Sequence, residues 1–153
     1  MSLREERDPA FWLEIASHPS LRDTLMGLAP ADIAEIAVRP NILPLASANG
    51  GFFFGKVDGL GMVLELHSLF RPEGWGREAA ISAKQALQWV FRTAQAITTY
   101  EVQGNAHSRP PVSYGFVKAG EWQATDVGML RLWVLTRAAW DLSPSKRRRA
   151  PCP

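Results

Sequence analysis

Leu64-Glu65-Leu66-His67-Ser68-Leu69-Phe70-Arg71-Pro72-Glu73-Gly74-Trp75-Gly76-Arg77 is the stretch on which the fold turns. It reads as a β-strand that breaks into a glycine turn and feeds straight into a long helix. Such a turn is built to hold an anion. The first backbone N–H groups of a helix have no internal partner and point outward at the positive end of its dipole.

Downstream, the helix is expected over residues 76–94, with Ala79, Ala83, Leu87, Val90, Phe91 and Ala94 as its buried stripe. Residues 96–102 are β-branched and aromatic, hence a strand. A strand, a helix and a further strand make a crossover unit, so this strand should run parallel to the one at 62–70. Residues 104–109 read as a loop. Pro110-Pro111 then opens a helix over 112–119 that Gly120 ends. Residues 121–125 and 129–136 form a closing hairpin. Residues 143–153, rich in Pro, Ser and basic side chains, read as a loose basic tail behind a single domain at 1–142.

Upstream, Asp8-Pro9 is a helix start, with an acceptor at N-cap and proline at N1. Residues 9–37 read as two or three short helices. Arg39-Pro40 stops them. Strands follow at 42–46 and 52–57, joined by Asn49-Gly50-Gly51, and Asp58-Gly59 turns the chain into the strand at 62–70. Two tight glycine turns in succession argue an antiparallel meander. The whole is an α/β chain with a mixed sheet.

The chain has 153 residues, enough for one domain with a real core. No apolar run approaches the roughly 20 residues of a membrane span, and the N-terminus has no apolar segment of a secretory signal. A single cysteine, Cys152, makes no internal disulfide, which suits a reducing, cytoplasmic home. His18, His67 and His107 lie far apart, so no metal site is expected. The net charge is +2, and Lys146-Arg147-Arg148-Arg149 carry four positive charges. Without them thirteen basic residues face fifteen acidic ones, a net −2. The basic character belongs to the tail, which weakens a reading of the folded body as a nucleic-acid binder.

Arg71-Pro72-Glu73-Gly74-Trp75-Gly76 resembles the Arg/Gln-x-x-Gly-x-Gly/Ala signature of the GCN5-related N-acetyltransferases. It follows a strand and opens a long Ala-rich helix, as in that family. Asn105-x-x-Ser108 before Val117-Lys118-Ala119-Gly120-Glu121 resembles the family's Asn loop and its Lys-x-Gly-Phe helix end. Val134-Leu135-Thr136-Arg137-x-x-Trp140 resembles its closing segment. The resemblance implies a mostly antiparallel mixed sheet flanked by helices. Its central parallel strand pair would splay around an acyl-coenzyme A site. It implies acetyl-coenzyme A as co-substrate, an unidentified amine as acceptor, and no membrane partner. Pairing of two copies is left open.

The same resemblance assigns the cofactor to Leu66, Ser68, Arg71, Glu73, Gly74, Trp75, Gly76, Arg77, Asn105 and Ser108. Pro72 has no N–H, so the donors left to a pyrophosphate are the amides of Glu73 through Arg77. Arg77 in the first helical turn opposes the dipole unless an anion is present. An Asp at Gly74 is expected to abolish binding by occupying the phosphate position. The thioester would lie along residues 64–68. Glu65 and His67, two apart, share one face of that strand, and either can take the amine proton. The family often has a tyrosine four residues before the closing glycine, where this chain has Phe116. Tyr114 is then the nearest hydroxyl for the acid role. Two alternatives stand beside the transferase: a non-catalytic coenzyme A-binding protein of the same fold, and a basic-tailed nucleic-acid-binding module.

Overall fold

A computed structural model describes residues 2–147. Twelve helices and strands of it concern the site. They are β1 (Arg4–Glu5), α1 (Pro9–Ala16), α2 (Pro30–Ala37), β2 (Ile42–Ser47), β3 (Gly50–Lys56), β4 (Val63–Phe70), α3 (Arg77–Val90), β5 (Ala96–Val102), β6 (Val117–Ala124), β7 (Gly128–Thr136), α4 (Arg137–Leu142) and α5 (Pro144–Arg147). The strands form one seven-stranded sheet in the order β1-β2-β3-β4-β5-β7-β6. All neighbours run antiparallel except the β4–β5 pair, which is parallel as the crossover reading requires.

The chain divides into two compact units, one of residues 1–56 and 65–89, the other of 57–64 and 90–153. In the first, Asp8 accepts from the Ala10 amide and Pro9 sits at N1, so α1 starts where the sequence puts it. Trp12, Ile15, Leu21, Leu25, Ile33, Ala37, Phe53 and Leu69 form its main apolar cluster. Trp12 is fully buried, its ring 4.3 Å from that of Phe53, and its indole N–H donates to the Glu6 carbonyl at 2.7 Å. Phe52 and Phe54 point to the opposite face, where Phe52 meets Phe70 at 5.3 Å. Aromatics on both faces of β3 therefore reflect burial on both sides.

In the second unit β7 pairs with β5 from Ala96↔Thr136 to Val102↔Leu130, and with β6 on its other side. A bulge between Lys118 and Gly120 interrupts β6. Here the structure corrects the sequence reading. No helix spans 112–119: a single 3-10 turn covers Val112–Tyr114, and Gly115 ends it at φ 100°. A Cβ at Gly115 would lie 2.9 Å from the Ala139 carbonyl oxygen, so the position demands glycine both for its backbone and for space. From Val117 onward the chain pairs with β7, and the cross-strand bonds win over helical spacing.

Two boundaries and one buried stripe also differ. α3 ends at Val90, short of residue 94. Near its start the buried positions are Glu78 and Ser82, while Ala79 is only half-buried. The stretch read as a loose tail begins with α5, and Ser145 donates to the Ser113 hydroxyl at 3.1 Å. Arg148, Arg149 and Cys152 lie outside the described residues. Among the described residues no helix is long and apolar enough to cross a membrane, and no group of three or more His, Cys, Asp or Glu is placed to hold a metal ion.

Candidate active site

The turn after β4 is built from three successive backbone hydrogen bonds. Pro72–Gly74 form a 3-10 turn in which the Gly74 and Trp75 amides donate to the carbonyls of Arg71 and Pro72, at 2.9 and 3.1 Å. Gly76 follows at φ 80°, a left-handed residue with open space where a Cβ would stand. The helix ladder then begins with the Ala80 amide donating to the Gly76 carbonyl at 2.9 Å. By helix geometry the amides of Arg77, Glu78 and Ala79 precede that ladder. The donor set thus moves forward from the expected Glu73–Arg77, because Gly74 and Trp75 spend their N–H groups closing the 3-10 turn.

Below the turn lies the tip of the β2–β3 hairpin. Glu78 is 8% exposed, and its carboxylate faces inward. It accepts from the Ser47 hydroxyl at 2.7 Å, the Asn49 amide at 2.8 Å and the Asn49 side chain at 2.8 Å. Burial works to raise the Glu78 carboxyl. The bonds from Ser47 and Asn49, with the Arg71 guanidinium nearby, outweigh it and hold the group below its ordinary value. Arg71 donates through Nε to the Asn49 side-chain oxygen at 2.9 Å and through Nη1 to Glu14 at 2.9 Å, while its amide donates to the Asn49 carbonyl at 3.0 Å. Arg71 is therefore the strut joining α1, the hairpin tip and the turn. Its charge is already matched by carboxylates, and Glu73 adds a third at 4.0 Å.

Of the predicted residues, Gly74, Trp75, Gly76 and Arg77 lie together in this turn. Trp75 is partly exposed, and its indole N–H is held by the Phe70 carbonyl at 2.9 Å. Arg77 is exposed. Gly74 faces the protein, not solvent: a Cβ there would meet Asn49 Cβ and Phe70 Cδ1, both at 2.9 Å. An Asp at Gly74 would thus wreck the hairpin contact before it reached any anion, so that substitution is no test of the turn. Leu66 and Ser68 lie on β4, the first half-buried and the second exposed.

Glu65 and His67 do meet. Oε1 of Glu65 is 2.5 Å from Nε2 of His67, and both side chains are accessible. That hydrogen bond lowers the Glu65 carboxyl, with partial burial opposing it and the His67 charge adding to it.

Asn105, Ser108 and Tyr114 belong to the other unit. Asn105 caps the 3-10 turn Ala106–Ser108 by accepting from the His107 amide at 3.1 Å. The Ser108 hydroxyl accepts from the Val102 amide at 2.9 Å and donates to the Asn105 carbonyl at 2.7 Å. Both side chains are thus engaged in shaping the loop. Tyr114 is buried, its ring edge-on to Trp140 at 5.7 Å, and burial raises its phenol. That turn ends at Gly115, while Gly120, read in the sequence as a helix end, lies within β6. Sequence reasoning missed Ser47, Asn49 and Glu78. The one available signal was an acidic residue in the stripe that the helix buries.

A strand-turn-helix unit whose strand belongs to a parallel pair, in a seven-stranded sheet otherwise antiparallel, is the fold of the GCN5-related N-acetyltransferases. No protein-family model matches the sequence, and no curated protein matches it. Solved structures do. Spermidine N-acetyltransferase from Vibrio cholerae, in a complex with CoA and spermine, superposes with a TM-score of 0.69 at 16% identity, covering 91% of this chain and 96% of its own. A probable acetyltransferase gives 0.66 at 15%, covering 90% and 93%. An uncharacterized protein from Bacillus halodurans gives 0.66 at 12%, covering 92% and 86%. At such identities the likeness is one of fold.

Proposed function

We propose that the chain is an acetyl-coenzyme A-dependent N-acetyltransferase that acts on a primary amine. The start of α3 carries this reading. Three helix amides stand ahead of the ladder, the only carboxylate of the first turn is turned inward onto Ser47 and Asn49, and Gly76 leaves the approach open. An anion there meets donors and the exposed Arg77, with no outward-facing acidic side chain in the first turn of α3 in competition. Those are the demands of a pyrophosphate. Acetyl-coenzyme A would supply the activated acyl group. The acceptor amine then has to shed a proton, and Glu65 and His67 are the accessible titratable pair on β4. Direct transfer needs no metal.

Titration calorimetry with coenzyme A and with acetyl-coenzyme A tests the reading. The sharper version compares Gly76→Asp with Gly76→Asn. Both impose the same backbone strain at φ 80°. Only the first adds a charge. We expect the Asn variant to bind within a few-fold of the native chain and the Asp variant to lose about tenfold or more, the scale of a like charge at a helix start. Equal losses would remove the anion from this site.

A second reading, a coenzyme A-binding protein without transferase activity, is favoured by Phe116 at the position where the resemblance leads one to expect a tyrosine, and by the burial of Tyr114. Release of free thiol over a panel of amines separates the two.

A further inference from the structure

We propose that Glu65 is a positioning residue for His67: it holds the ring by Nε2, so that Nδ1 is the nitrogen presented to the acceptor amine. The inference rests on the transferase reading above and assigns roles within its strand. Glu65, His67 and Leu69 alternate along β4, so all three point to one face. Leu69 fixes which face that is, because it belongs to the cluster that Trp12, Ile33 and Phe53 form under α1 and α2. Along the strand the covering ends after Leu69: that residue is buried and His67 is exposed. The dyad therefore stands where an apolar floor gives way to solvent.

The contact sets the chemistry. An ionised carboxylate only accepts, so at 2.5 Å the proton between Glu65 and His67 belongs to Nε2. In the neutral ring Nδ1 then carries the lone pair. An exposed histidine would otherwise sample both tautomers and several rotamers, and the bond removes that freedom. Glu65 is the poorer base of the two, since one oxygen is occupied and its carboxyl titrates low. In the transfer the amine nitrogen forms a C–N bond to the acetyl carbon and the C–S bond breaks. The sulfur leaves with the electron pair and takes a proton from water, and the hydroxide so formed takes back the proton that His67 removes from the amine. The proton shed by the amine goes to Nδ1, and the resulting imidazolium is stabilised by the Glu65 carboxylate against Nε2–H.

The test uses the full chain with nitrogen-15-labelled histidine, at a pH of about 8.5 where an ordinary ring is neutral. Native His67 should show the Nε2–H tautomer. Glu65→Gln, which still offers an acceptor oxygen, should keep it, and Glu65→Ala should give a mixture. With acetyl-coenzyme A and an amine that gives thiol release, Glu65→Ala should lose about tenfold in kcat with KM for acetyl-coenzyme A unchanged. His67→Ala should lose about a hundredfold, the lower range for a missing base. A native ring in the Nδ1–H form, or a kcat indifferent to Glu65→Ala, overturns the inference. Failure of the native chain to bind coenzyme A overturns the transferase reading, and the dyad's role with it. In that case the ring shifts still report whether the Glu65 contact exists.

Discussion

Glu78 shows how one side chain decides what a binding turn can do. Its carboxylate takes three hydrogen bonds from Ser47 and Asn49 while 8% exposed. Glu78→Ala strands those donors, so we expect a loss of about 3 kcal/mol in urea unfolding. The pH dependence has a definite sign. The folded carboxyl sits below its unfolded value, so its contribution is complete above about pH 4.3 and is lost as pH falls through the lower, folded value. The native chain should therefore lose its advantage over Glu78→Gln only on the acid side. A difference that instead grew below pH 4 would refute the assignment. Little of this was legible in the sequence. Arg71 stood in a phosphate-binding signature, but its partners Asn49 and Glu14 lie 22 and 57 residues away, and no local pattern announces such contacts.

At the level of elements, periodicity served well where one face is buried and failed where it is not. β5 runs over Ala96–Val102 as read, because β-branched residues fill a paired strand. β6 is mostly exposed, so its sequence carries no alternation, and Val117–Gly120 passed for the end of a helix. The informative residue was Gly115, which a helical reading treats as a blemish and the fold uses as the stop. Gly115→Ala would press a methyl against Ala139 and force a side chain into φ 100°. We expect it to cost about 2 kcal/mol in thermal unfolding, whereas Gly120→Ala, with open space around it, should cost far less.

Across the whole molecule, the order of helices and strands from α1 to β5 was readable, and with it the parallel strand pair. An acceptor for the proposed transfer was not, since such recognition would depend on surfaces assembled from distant segments. Charge adds a test at this scale. Lys146–Arg149 hold four positive charges on a chain whose remainder is net −2. Retention on a polyanion column should therefore disappear when Arg147, Arg148 and Arg149 become Ser, while coenzyme A affinity stays put. Retention that survives would revive a nucleic-acid role for the body.

The strut formed by Arg71 has a consequence for how the chain comes to maturity. Residues 14, 49, 71 and 78 must all be in place before the turn has its shape, and closing such spans costs entropy that grows with their length. A peptide of the strand, turn and helix alone lacks two of those four and would not hold the geometry. During synthesis the cradle cannot exist until the first turn of α3 has emerged and reached back to the hairpin. If the turn binds coenzyme A as proposed, an immobilised coenzyme A would on that account sort molecules by completeness, retaining finished chains and passing those that stalled on the way.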